Sequence, residues 1–165
     1  MRLKSYLVVL CLLLCAGVAQ AQVKTSGTIK CAKADVQHKI DVAPNHAFVL
    51  DQSKCWADKD KPYTINGVKS GNSVSTTSTD VQGNKASYNG YFVDTMENGD
   101  TGEYSFHGTA IMKDGAIATA DDHWTLVRGT GKLKGAKGKG TCKGTGAADG
   151  SITWECQGEH TLAGK

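Results

Sequence analysis

Asp121, Asp122 and His123 form the densest carboxylate and imidazole cluster in this 165-residue chain. On a strand, Asp121 and His123 share one face while Asp122 points to the other, beside Trp124. Asp122 is therefore the one weak candidate for acid–base work. It sits either as a buried acid among apolar side chains, or, as favoured on sequence, solvated at the edge of the fold. The other histidines considered, His38, His46, His107 and His160, have no metal-ligand spacing, and no H-E-x-x-H or G-x-S-x-G is present. Zinc-, serine- or cysteine-based hydrolysis has no foothold, and no metal or cofactor is expected.

The run from Gly129 to Gly146 carries seven glycines with Lys132, Lys134, Lys137, Lys139 and Lys143 between them, and Arg128 stands just before it. It lacks G-x-x-x-x-G-K-[ST], and no helix follows to offer its N-terminus to a phosphate. The reading adopted is a tightly curved strand. Its glycines admit bulky neighbours, and its alternate lysines face water and discourage strand addition. Aromatics are not interleaved with the lysines, so nucleic acid is not an expected partner.

Six cysteines divide by position. Cys11 and Cys15 lie in an apolar run, Tyr6–Val18, which follows Arg2 and Lys4 and precedes Ala19-Gln20-Ala21. That is the charged, apolar and small-residue pattern of a secretory signal peptide spanning residues 1–21, with cleavage after Ala21. The run is shorter than the roughly 17–25 residues of a membrane-spanning helix, so no membrane association is expected after cleavage. Removal of 1–21 leaves one domain, 22–165, with 17 basic against 16 acidic residues, which gives no argument for a polyanionic partner. It also leaves Cys31, Cys55, Cys142 and Cys156, an even number in a chain bound for the periplasm or the cell exterior, hence two disulfides.

These residues must be positioned by strands. Short runs rich in Val, Ile, Thr, Tyr and Phe alternate with Gly, Asn and Asp turns, and no amphipathic helical stretch appears. Strands are expected near 25–31, 46–53, 62–69, 73–80, 85–96, 101–112, 116–127, 136–145 and 151–161. Connections after residue 73 are too short for crossover helices. The expected fold is all-β: a single antiparallel up-and-down (meander) β-barrel of about eight to nine strands, because closure removes the open edges.

Three hairpins fix registers. A two-residue type I′ turn at Asn98-Gly99 sets Val93 opposite Tyr104 and Tyr91 opposite Phe106, on one inner face. A three-residue loop at Lys113-Asp114-Gly115 sets Trp124 opposite Tyr104 on that face, with Trp154 a further candidate. A three-residue loop at Ala148-Asp149-Gly150 sets Cys142 against Cys156, Lys143 against Glu155 and Lys139 against Glu159 together, which leaves Cys31–Cys55 by elimination. Barrels of about eight strands are either filled by side chains or hold one small ligand. Tyr91, Tyr104, Phe106 and Trp124 are the candidate ligand-binding residues.

The stretch from Trp124 through Arg128, Gly129, Gly131, Leu133, Gly135, Gly138 and Gly140 to Thr141 resembles the glycine-rich hairpin of the allene-oxide-cyclase-like and dirigent-like β-barrels. Arg128 departs from it, where that superfamily commonly has glycine. Cys31–Asp35, Pro44-Asn45-His46, Asn98–Asp100 and Asp149-Gly150 look like those of small uncharacterised exported bacterial proteins. The resemblance implies the barrel fold and transfers no active-site residue. Three functions follow as expectations: a barrel binding a small apolar or amphipathic ligand, an isomerase or cyclase of that barrel type using Asp122, or a structural, surface-interaction protein. Oligomeric state is left open.

Overall fold

The computed structural model describes residues 22–162; the expected signal peptide lies outside them. The chain folds as ten antiparallel strands in one sheet: β1 (Gln22–Cys31), β2 (Val36–Ala43), β3 (His46–Ala57), β4 (Thr64–Ile65), β5 (Val68–Gln82), β6 (Lys85–Met96), β7 (Thr101–Lys113), β8 (Ala116–Gly129), β9 (Lys137–Gly146) and β10 (Ile152–Thr161). Eight of them, β1-β3-β5-β6-β7-β8-β9-β10, run in chain order and close when β10 pairs back onto β1. This is the expected up-and-down barrel. Both expected disulfides are present, Cys31–Cys55 joining β1 to β3 and Cys142–Cys156 joining β9 to β10. Each closes a short loop and stabilises by about 3 kcal/mol on chain-entropy grounds.

Two segments depart from the expected set. β2 continues the path of β1 along the edge of β3 and pairs with no other strand. Its alternation is plain: Val36, Ile40 and Val42 face outward and are exposed, while Gln37, Lys39 and Asp41 face the barrel. The strand expected at 62–69 is instead broken by a tight turn at Asn66 and Gly67, both at positive φ, leaving only β4 before it. The segment before β4 crosses the end of the barrel. The backbone of Pro62 and Tyr63 fills the space beside Gly27, and Pro62 bridges Thr28. Tyr63 and Ile65 become buried there, and the 3-10 turn Gly131–Leu133 buries Leu133 at the same end. One end of the barrel is thus plugged.

The β9–β10 register is the expected one, residue for residue, including Cys142 opposite Cys156, Lys143 opposite Glu155 and Lys139 opposite Glu159. The other two hairpins exchange their expected turn types. At Asn98-Gly99 only glycine takes positive φ, and a three-residue loop, Glu97–Gly99, closes Met96 on Asp100. The register therefore slips by one: Phe92, not Val93, opposes Tyr104, and Gly90, not Tyr91, opposes Phe106. One residue inverts the face, so Tyr91 and Val93 lie outside, 56% and 42% exposed. Conversely, Asp114 and Gly115 are both at positive φ and make a two-residue turn. An irregularity between Ile111 and Met112 then shifts the ladder, and Trp124 opposes Phe106 rather than Tyr104. The net displacement is two residues, so Trp124 keeps the inner face.

Candidate functional site

Inward-facing residues change size along the barrel. Towards the plugged end, Met96, Tyr104, Trp124, Leu126, Leu133 and His160 pack a continuous core. Towards the other end the inner positions carry Ala47, Ser75, Thr77, Ala86, Ala110 and Ala120, together with glycines at 90, 108, 144 and 146. Small side chains on eight strands cannot fill the lumen. A cavity of about 970 Å³ results, reaching from Tyr63, Asp94 and Tyr104 at its floor to the turns at Asn45, Gly83, Asp114 and Asp149 around its mouth. That volume suits a drug-sized organic molecule.

The walls differ chemically. β2, β3 and β5 contribute Lys39, Asp41, Asp51, Ser53, Ser75 and Thr77, while β6, β7, β8 and β10 contribute Tyr88, Phe92, Phe106, Trp124 and Trp154. Glycines seat the large rings. A side chain at Gly140 or Gly158 would collide with the indole of Trp124, and one at Gly144 with that of Trp154. The glycine-rich stretch therefore acts as expected, as a surface against which bulky groups pack. Tyr88 leans over Gly108 and donates its hydroxyl proton to the Asp121 carbonyl oxygen at 3.2 Å. Its ring lies 6.2 Å from Phe106 and 6.4 Å from Trp154.

Of the candidate ligand-binding residues, Tyr104, Phe106 and Trp124 line this cavity and Tyr91 does not. Phe92 and Tyr88 take the inner place expected of Tyr91. Asp122 is buried, 8% exposed, and lines the cavity between Gly108 on β7 and Cys142 on β9, rather than sitting solvated at the mouth. Alternation puts it there: Ala120, Asp122, Trp124 and Leu126 all face inward. Burial pushes its pKa up to about 7, against a partial offset from the Cys142 amide, and its Oδ1 has no hydrogen-bond partner. Asp121 and His123 face outward, where Asp121 meets Lys143 at 3.6 Å and His123 stacks on His107.

Sequence reasoning missed two further acids. Asp51 faces the cavity from β3, and burial raises its pKa to about 6. Asp94, 1% exposed at the floor, accepts hydrogen bonds from the Ser70 and Ser73 hydroxyls at 2.8 Å each. Ser70 and Ser73 would face opposite ways on a regular strand. The irregularity between Ser70 and Asn72 turns both towards Asp94. The alternation of β3, with Phe48 and Leu50 outward, was a legible signal for Asp51; the bulge at Gly71 was not.

Fold and site together define a class: a closed antiparallel barrel with a ligand-sized, one-ended lumen, charged and hydroxylic on the side of β2, β3 and β5, and aromatic with two buried acids, Asp94 and Asp122, on the other. Compared with known proteins, the chain matches no family model and no curated relative. Two disulfides are the mark of an oxidising compartment, and no helix among the described residues is long and apolar enough to cross a membrane.

Proposed function

We propose that this protein is exported and binds a small amphipathic organic molecule inside its barrel. The observation that carries the reading is the cavity of about 970 Å³ with an aromatic wall facing a polar one. A protein that only presents a surface has no use for a hollow interior, since filling it would add stability. The disulfides, with the signal-like residues 1–21, support release into the periplasm or beyond, where a ligand binder meets small molecules. The test is a tryptophan-quenching and dye-displacement screen of the oxidised protein against lipids and aromatic compounds. Trp124 and Trp154 line the cavity and report on it directly. Saturable quenching supports the reading, and uniform failure across the screen overturns it. N-terminal sequencing of the exported protein, with Gln22 expected first, tests the leader.

A second reading is favoured by one specific observation: Asp122 is a buried acid inside that cavity, held near neutrality by its surroundings. An isomerase or cyclase, as the resemblance to allene-oxide-cyclase-like barrels implies, would use such a group to move a proton on a bound substrate. A ligand from the screen that is converted by the wild type, and bound unchanged by Asp122→Asn, would select this reading over simple binding.

A further inference from the structure

The charges lining the cavity are unevenly satisfied. Its cations are Lys33, Lys39 and, when protonated, His46. Lys39 is held by Asp41 at 2.8 Å and His46 by Asp80 at 2.8 Å, while Lys33 packs against Gly150 at the mouth. Among the described residues, neither Asp51 nor Asp122 has an ion-pair partner. Asp94 has only hydroxyl and backbone donors and leaves Oδ2 without a partner. Apart from Lys33 at the mouth, the charge-bearing groups of the lumen that lack a counter-ion are therefore carboxyls, Asp51 and Asp122.

The aromatic wall completes the pattern. Gly108 and Asp122 are directly opposite across β7–β8, and the Tyr88 ring packs on Gly108 where a side chain is missing. Phe106 and Trp154 flank Tyr88 at 6.2 and 6.4 Å. A carboxylate beside tilted aromatic rings is the arrangement that recognises an organic cation, by charge and by the negative faces of the rings. An anion would have to enter past Asp51 and Asp122, and a neutral apolar ligand would leave Asp122 Oδ1 buried without a partner.

We infer that the ligand is an organic cation, an amine or quaternary ammonium on an apolar body, seated with its charge at Asp122 and its body on Tyr88, Phe106 and Trp154. The inference rests on the reading of the lumen as a binding site. It carries a pH dependence, because the cation must meet an ionised carboxylate. The groups around Asp122 are Tyr88 from β6, Gly108 from β7, the disulfide-bonded Cys142 from β9 and, on its own strand, the outward Asp121. Asp51 across the lumen titrates in the same direction, so affinity for the cation rises from pH 6 to pH 8.

The experiment uses three naphthyl probes on the oxidised protein: (2-naphthylmethyl)trimethylammonium, its neutral carbon isostere 2-neopentylnaphthalene, and the anion 2-naphthylmethanesulfonate. Calorimetry and tryptophan quenching should give binding of the cation about tenfold or more tighter than its neutral isostere, with the sulfonate weakest. Asp122→Asn should remove most of that preference, bringing the affinities of the cation and its neutral isostere together, and an undiminished preference in this variant overturns the placement at Asp122. Equal binding of cation and isostere by the wild type, which needs no variant, overturns the inference and leaves the binding reading standing. Failure of all three, together with failure of the broad ligand screen, overturns the binding reading itself.

Discussion

Phe92 stands directly opposite Tyr104 across β6 and β7, their rings 6.4 Å apart, and this pairing decides which side chains of β6 reach the lumen. Tyr88, Phe92, Asp94 and Met96 are turned inward by it, and Tyr91 and Val93 outward. The two faces of one strand then differ in energetic weight. Phe92→Ala is expected to cost about 2 kcal/mol, less than a fully packed phenylalanine because one side already borders the cavity. Tyr91→Ala should stay within about 0.5 kcal/mol. Urea midpoints for the two variants check this, and the reverse order would mean that β6 is paired one residue differently.

Gly158 and Gly140 hold the indole of Trp124 from the backbone of two neighbouring strands, and Trp124 in turn stacks on His160 with centroids 5.3 Å apart. Gly158→Ala should therefore act as overpacking, costing about 1–3 kcal/mol and shifting the emission of Trp124. Gly83→Ala is a control of another kind. It meets nothing within 4 Å, so its cost comes only from its positive φ of 62° and should leave the tryptophan spectrum unchanged.

The Ser70–Asp94–Ser73 cluster ties the irregular end of β5 to β6 beneath the cavity floor. Removing one hydroxyl, as in Ser73→Ala, leaves Asp94 with one fewer donor and should cost about 1–2 kcal/mol. Asp94→Ala strands both hydroxyls and opens a void, so its cost should be larger, about 2–4 kcal/mol. Chemical denaturation of the three proteins gives the order, and a silent Asp94→Ala would contradict the cluster.

Asp122 and His160 bias stability in opposite directions with pH. Burial raises Asp122 from 3.8 to about 7 and lowers His160 from 6.5 to about 4. The folded state holds the Asp122 proton more tightly than the unfolded chain, so this contribution is full below 3.8 and lost as pH rises through about 7. The His160 contribution is full above 6.5 and lost as pH falls towards 4. Asp122→Asn should accordingly stabilise the protein at pH 8, by on the order of 1–3 kcal/mol, and be nearly neutral at pH 4. Urea midpoints at the two pH values, wild type against variant, measure the difference.

The β9–β10 hairpin shows how far local sequence reaches. Its loop length, its facing cysteines and its Lys–Glu pairs all demand one register, and that register is the one adopted, with Lys139 and Glu159 3.8 Å apart. Its charged residues also find partners outside the hairpin, Lys143 with Asp121 on β8 and Glu155 with Lys61 from the segment before β4. The β6–β7 hairpin had only Asn98-Gly99 to specify it, and both a two-residue and a three-residue loop suit that pair. What chose between them was distant: Met96 and Asp94 are buried by the plug from 58–67 and by the bulge in β5. β2 had a visible alternation, yet its outward apolar face runs against the usual rule that apolar residues point in.

The residues themselves determine that this is an all-β chain, where most strands run, that four cysteines pair as two bridges, and that glycines receive large rings. These follow from backbone preference and from neighbours a few positions apart. Only the closed barrel decides that Asp122 is buried beside Tyr88, that Tyr91 is outside, and that the lumen is hollow. The reason is geometric: a cavity is what remains when the inward side chains of eight strands are brought together, and no single strand carries that sum. Alternation placed Asp122 beside Trp124, and the small residues at 86, 108, 110 and 120 around them made that position the wall of a cavity.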